Sequence, residues 1–180
     1  MTGVQTCALP ILRRDSVDSL IERTIQNVRQ HPECRDVTIS TDVAGPVYAW
    51  VDSKKLSRAL YNLVLNAVQS AKTGTGVPRV AVRLVDDNDR IEISIRDSGP
   101  GVADSIRETL FQPFVSAGKE NGVGLGLTLA QHVAQEHGGE VRLEKSVPGE
   151  TIFNILLYKQ ALEAFGHTKA ESVKVNTFQE

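Results

Sequence analysis

Arg90-Ile91-Glu92-Ile93-Ser94-Ile95-Arg96-Asp97, running into Ser98-Gly99-Pro100-Gly101, decides the fold. Ile91, Ile93 and Ile95 alternate with Glu92, Ser94 and Arg96, the period of two of a strand with one buried and one wet face. The same parity puts Asp97 on the buried face, where a carboxylate is strongly disfavoured unless it meets a donor. Glycines on both sides of Pro100 let the backbone turn sharply and let a ligand approach it closely. Taken alone, the stretch reads equally well as a strand closing in an ordinary turn, with Asp97 capping its own backbone.

Working outward, Val80, Val82 and Leu84 alternate with Ala81 and Arg83 over 79–85, and Asp86-Asp87-Asn88-Asp89 turns that strand back into the first as an antiparallel hairpin. Upstream, Asp52 is placed to cap a helix over 53–71 whose apolar face is Leu56, Leu60, Leu63, Val64, Ala67 and Val68. Asn62, Asn66 and Gln69 share a stripe along the border of that face. Asparagine is a mediocre helix former, so two of them in mid-helix call for a reason. One reason is solvent exposure or a hydrogen bond to a neighbouring loop. The other is an amide oxygen for a hard cation such as Mg²⁺ and an amide nitrogen for phosphate.

Downstream, 103–109 predicts a helical turn, Phe111 and Phe114 offer apolar anchors, and 115–121, with Lys119, reads as a lid held at one end. Gly122-Val123-Gly124-Leu125-Gly126-Leu127 then opens a helix ending at His137-Gly138-Gly139. Glycines before a helix N-terminus expose N–H groups at the positive end of the dipole, a phosphate site. The spacing G-x-G-x-G fits neither the dinucleotide fingerprint nor the P-loop. Strands over 140–145 and 151–158 follow, and the tail from 159 has no assigned role.

At the other end, a helix over 18–30 carries the stripe Leu20, Ile21, Ile25, Val28, with Ser19 and Glu22 as a capping box and 12–15 as the end of a preceding helix. His31-Pro32 ends it. Short strands over 37–40 and 47–51, separated by a turn at 41–46, read as edge or flanking strands. Residues 1–11, MTGVQTCALPI, look like the translation of a sequencing-library adapter, so native sequence is expected to begin near Leu12 and to continue from an upstream part. With Cys7 set aside, Cys34 is a single thiol, which fits a reducing compartment. The 180 residues, 41% hydrophobic with a net charge of −2, describe a globular domain without a basic stripe for nucleic acid and without an apolar run long enough to span a bilayer.

The order of these stretches is more specific than any one of them. Amide-bearing helix, strand ending in D-S-G-P-G, aromatic-anchored lid, G-x-G-L-G-L helix and terminal strand pair resemble the N, G1, F and G2 boxes of the catalytic, ATP-binding domain of sensor histidine kinases, in the Bergerat-fold superfamily. The resemblance spans roughly 18–158. It implies that Asn66 coordinates Mg²⁺ with Asn62 as the second amide of its box, and that Asp97 accepts the adenine amino group. A bond of that kind contributes about 1.5–3 kcal/mol. By the same resemblance Gly99 and Gly101 form the adenine-side loop, Gly122, Val123, Gly124, Leu125, Gly126 and Leu127 the phosphate side, Phe111 and Phe114 the lid anchors, and Thr151 the threonine of the G-x-G-T-x-F strand. Glu150 replaces the usual middle glycine there. Gln69 stands where many members carry Lys, which shifts phosphate binding toward Lys119 and the backbone.

The resemblance implies an α+β fold: a two-layer sandwich, with a mixed, largely antiparallel sheet carrying three helices on one face. It implies a cytoplasmic protein histidine kinase domain using ATP and Mg²⁺, homodimeric in its full-length parent, that phosphorylates a histidine on its own dimerisation domain for relay to a response regulator. The hydrolysing relatives resemble a glutamate at the position of Asn62, and an asparagine cannot take a proton from water, so transfer is favoured over hydrolysis. None of His31, His132, His137 and His167 precedes an acidic residue as the acceptor would; His137 is read as a helix C-terminal histidine favoured by the dipole. A stand-alone serine kinase of anti-sigma type and a nucleotide-binding regulatory module are the rival readings.

Overall fold

A computed structural model describes residues 10–43, 45–113 and 126–159. In chain order, strand β1 (Arg13–Ser16) leads directly into helix α1 (Val17–Arg29), and a 3-10 turn at Pro32–Cys34 precedes strands β2 (Thr38–Val43) and β3 (Tyr48–Val51). The long helix α2 (Ser53–Thr73) is followed by the hairpin of β4 (Arg79–Asp86) and β5 (Arg90–Asp97), and then by a 3-10 segment at Asp104–Thr109. Helix α3 (Gly126–Glu136) and the hairpin of β6 (Glu140–Val147) and β7 (Glu150–Tyr158) complete the described chain.

Five strands form one sheet in the order β2-β4-β5-β7-β6. Only β2 and β4 run parallel, joined by the crossover that contains α2; the other neighbours are antiparallel. The sandwich expected from the sequence is therefore present. β5 lies at the centre, with Ile95 between Val82 and Phe153 and Asp97 between Val80 and Thr151. Val80, Val82, Leu84, Ile91, Ile93, Ile95, Ile155 and Leu157 are buried together with the predicted stripes of α1 and α2 in one core. α2 packs on β4 and β5, α3 on β6 and β7, and α1 on α2 and β2, so the helices share one face. On the other face, ion pairs such as Arg96–Glu150 stand in reach of water.

Three local expectations are corrected. Residues 13–16 form β1 rather than the end of a helix, because they pair with β3 in a separate two-stranded sheet. The helix that follows starts at Val17, and its cap is Ser16 rather than Ser19: Ser16 is extended and its Oγ accepts from the Ser19 N–H at 3.2 Å. Thr41, Asp42 and Val43, expected in a turn, extend β2, since the parallel pairing with β4 continues through Val43 opposite Leu84. Long-range pairing outweighs turn propensity here.

Asp52 caps α2 as expected, its Oδ1 accepting from the Lys55 N–H at 3.1 Å. Ile93, fully buried in the middle of the central strand, measures how far the sheet depends on this row. Ile93→Ala should cost about 3 kcal/mol, read as a lower urea midpoint with an unchanged slope; a loss below about 1 kcal/mol would place the core elsewhere.

Candidate functional site

The site is built along α2. Asn62, Asn66 and Ser70 recur every fourth residue, so they stack on one stripe, each about 6 Å further along the axis. At the Ser70 end stands Asp97, only 3% exposed. Its Oδ1 accepts from Ser70 Oγ at 2.9 Å and from the Gly99 N–H at 2.8 Å. These donors meet the requirement that the alternation of β5 imposed on a buried carboxylate. Asp97 thus caps its own loop through Gly99, as the turn reading has it, and is also anchored to a helix 27 residues earlier.

The loop after Asp97 is shaped by its glycines. A Cβ on Gly99 would lie 2.1 Å from Ser70 Oγ and 2.6 Å from Asp97 Oδ1. Gly101 has φ +90°, a conformation side chains rarely adopt. The loop is fastened to the β6–β7 turn, with the Gly149 N–H donating to Gly99 O at 2.8 Å and the Val102 N–H to Ser146 Oγ at 2.8 Å. Across the sheet, Thr151 is the register partner of Asp97 and 1% exposed. Its Oγ1 is buried with no hydrogen-bond partner among the described residues. A buried hydroxyl left in that state beside Asp97 calls for a polar partner. Glu150, which replaces the expected glycine, has its carboxylate paired with Arg96 at 3.0 Å and with Lys145. Hydrogen bonding to Lys145 holds its carboxyl below the usual range.

At the other end of the stripe, Asn62 and Asn66 are half-buried and meet the start of α3. A Cβ on Gly126 would come within 3.1 Å of Asn66 Nδ2 and 3.7 Å of Asn62 Cβ, so the glycine lets the start of the helix lie directly against the Asn66 amide and beside the stem of Asn62. Thr128, in the first turn of α3, carries a second buried hydroxyl with no hydrogen-bond partner among the described residues. Leu127 packs against the core, as does Phe111. Gln69 is half-buried on the neighbouring stripe. Phe114, Lys119, Gly122, Val123, Gly124 and Leu125 lie outside the described residues.

Two functional candidates were missed by sequence reasoning. Ser70 follows Asn66 at i+4 on the same stripe, a signal present in the sequence but passed over for Gln69 at i+3. Thr128 had no signal, since its orphaned hydroxyl arises only from burial. One reading is corrected: His137 is fully buried and its Nε2 accepts the Asp52 N–H at 2.9 Å, which needs an unprotonated Nε2 and so a neutral ring rather than a cation favoured by the helix dipole; burial pushes its pKa in the same direction, down. Among the described residues no group of three His, Cys, Asp or Glu side chains gathers as a metal cage. Any hard cation here would rely on amide oxygens together with oxygens brought by its ligand.

The family model described as "Histidine kinase-, DNA gyrase B-, and HSP90-like ATPase" matches residues 51–161. The signal transduction histidine-protein kinase/phosphatase MprB of Mycolicibacterium paratuberculosis is 33% identical over 159 residues, covering 84% of this chain and 30% of that protein. The sensor histidine kinase ZraS of Klebsiella oxytoca is 36% identical over 143 residues, covering 77% of this chain and 30% of that protein. The chain thus spans under a third of the length of these relatives. Among solved structures, the mycobacterial sensor histidine kinase MprB superposes with a TM-score of 0.68 at 29% identity, covering 81% of this chain and 97% of that one. The catalytic domain of histidine kinase ThkA gives 0.71 at 22% identity over 82% of this chain and 95% of that one, a likeness of fold.

The packing of Gly99 against Ser70 is open to a direct test. Gly99→Ala should cost about 1–3 kcal/mol in urea unfolding. Combined with Ser70→Ala, which removes the nearest obstructing atom, the penalty should shrink by at least about 0.5 kcal/mol. Strict additivity would show that the loop and α2 do not meet there.

Proposed function

This chain belongs to the family of histidine kinase-, DNA gyrase B- and HSP90-like ATPases, and we propose that it is the ATP-binding catalytic domain of a sensor histidine kinase whose γ-phosphoryl acceptor is a histidine on a dimerisation domain outside residues 12–158. The observation that carries the reading is the pairing of two distinct ends on one helix. At one end is a buried carboxylate beside an orphaned hydroxyl, and at the other Asn62 and Asn66 stand beside the start of α3, with the Asn66 amide against it.

In this reading Asp97 accepts the adenine amino group and Thr151 Oγ1 completes the polar wall around the base. Gly99 and Gly101 let the base approach the backbone. The triphosphate then runs along α2 toward Asn62 and Asn66, where the first N–H groups of α3 face its charge. The residues present fit a Mg²⁺ ion, which would be held by the Asn66 amide oxygen and nucleotide oxygens, and when bound would supply charge neutralisation on the phosphates. Gln69 and Lys119 are assigned to the phosphate end, with Phe114 anchoring a lid. The work of this domain is positioning and electrostatic stabilisation. The bond from the γ-phosphorus to the β,γ-bridging oxygen breaks, leaving ADP, and a new bond forms to the acceptor's imidazole nitrogen. Asn62 offers no base to activate water, which favours transfer over hydrolysis. In the cell the parent protein would work as a homodimer on the cytoplasmic side and pass the phosphoryl group to a response regulator.

Asp97→Asn replaces an acceptor pair by a group that is half donor, and it should weaken Mg-ATP binding by about tenfold or more in titration calorimetry, with the fold intact by circular dichroism. Unchanged affinity would overturn the adenine assignment. Asn66→Ala should leave adenosine binding as it was while reducing the gain in ATP affinity that Mg²⁺ produces.

A further inference from the structure

Asn62 and Asn66 lie on α2, whereas the N–H groups assigned to the phosphates in the nucleotide reading lie on α3. How well the two cooperate depends on the axial register of one helix against the other. The helices run antiparallel: the N-terminus of α3 meets Asn66, and its C-terminus lies beside the N-cap of α2. At that far end stands His137, the largest fully buried polar side chain among the described residues, which nothing in the nucleotide reading uses.

The chemistry of His137 is defined by its partners. The Asp52 N–H donates to His137 Nε2 at 2.9 Å, so Nε2 carries no proton. Nδ1 therefore holds it and donates to Val133 O, 2.7 Å away on its own helix. One ring thus joins the last turn of α3 to the residue that caps α2. Beside it, Lys55 Nζ reaches both oxygens of Glu136, at 2.7 and 2.9 Å, a second link between the same two helix ends. Beyond His137 the chain is fixed at once. Gly138 turns with φ +69°, the Gly139 N–H donates to Ala134 O at 2.8 Å, and a Cβ on Gly139 would lie 1.8 Å from Leu156 O. The C-terminal end of α3 is held against both α2 and β7. Any axial slip of this rigid helix would be carried unchanged to Gly126, about 16 Å away.

Resting on the nucleotide reading above, we propose that His137, seconded by the Lys55–Glu136 pair, is a positioning residue for the phosphate end of the site: it sets the register in which the N-terminus of α3 meets Asn62 and Asn66, and it does not act on the adenine end. It touches neither substrate nor metal, and acts only through α3.

The proposal separates from a general structural role because it affects one half of the ligand. The test compares Mg-ATP with adenosine on the 180-residue chain by titration calorimetry. His137→Leu fills a similar volume but leaves the Asp52 N–H without its acceptor. It should lower Mg-ATP affinity about tenfold, in line with one lost buried hydrogen bond, while adenosine affinity stays within about twofold. His137→Gln, whose carboxamide oxygen can take the place of Nε2, should restore most of the ATP affinity. An unchanged ratio of the two affinities in folded His137→Leu, or an equal loss of both, overturns the proposal. If His137→Leu does not fold, Glu136→Ala gives the decision: it should lower the ATP-to-adenosine ratio by about threefold, the scale of a partly exposed ion pair, and an unchanged ratio overturns the clamp. A wild-type chain that binds neither ligand overturns the nucleotide reading, and the clamp with it.

Discussion

The carboxylate of Asp97 is the constraint on which the rest of the structure depends. It ends the central apolar row of β5 and is pointed by strand parity into the interior, where an ionised group without donors would be costly. The protein meets this with one hydroxyl from α2 and one backbone N–H from the next loop. Each donor imposes a condition elsewhere. Ser70 must lie one turn beyond Asn66, and residue 99 must be a glycine, because a side chain there would occupy the space of both Ser70 and Asp97.

From this point α2 acts as the spine of the molecule. Its apolar face is buried against β4 and β5 and completes the core, and one stripe beside that face carries Ser70, Asn66 and Asn62 in succession. The same helix therefore does two kinds of work, separated by about a quarter turn. α3 crosses the end of that stripe with its N-terminus and returns to the cap of α2 with its C-terminus, so both of its ends refer to one helix. The polar groups of this stripe are thereby held on rigid elements, an arrangement that suits the positioning role proposed for them.

Much of this was legible in the residues. The alternation in β4 and β5, the apolar stripes of α1 and α2 and the Asp52 cap follow from local periodicity and capping chemistry, and the structure repeats them. The errors fall where local and long-range terms compete. Residues 13–16 and 41–43 have little preference of their own and became strands because partners elsewhere, β3 and β4, supplied the hydrogen bonds. Ser70 was overlooked although its spacing was available, since its importance lies in a partner 27 residues away. The neutral state of His137 could not be read from position alone, because a helix C-terminus favours its charge, and only the tertiary structure buries the ring and brings the Asp52 N–H to its Nε2.

What the sequence by itself determined is the kind of fold and the chemistry on offer: strand and helix period, the parity that buries Asp97, the amides of Asn62 and Asn66, and the glycines around them. These are properties of neighbours along the chain, where side-chain direction repeats every two or every 3.6 residues. The tertiary structure decided which of these groups meet. Thr151 beside Asp97, Gly126 against Asn66 and the bond from the Asp52 N–H to His137 join residues dozens of positions apart. Such contacts depend on sheet register and helix packing, and only the assembled core sets these, because no local period extends across the distance.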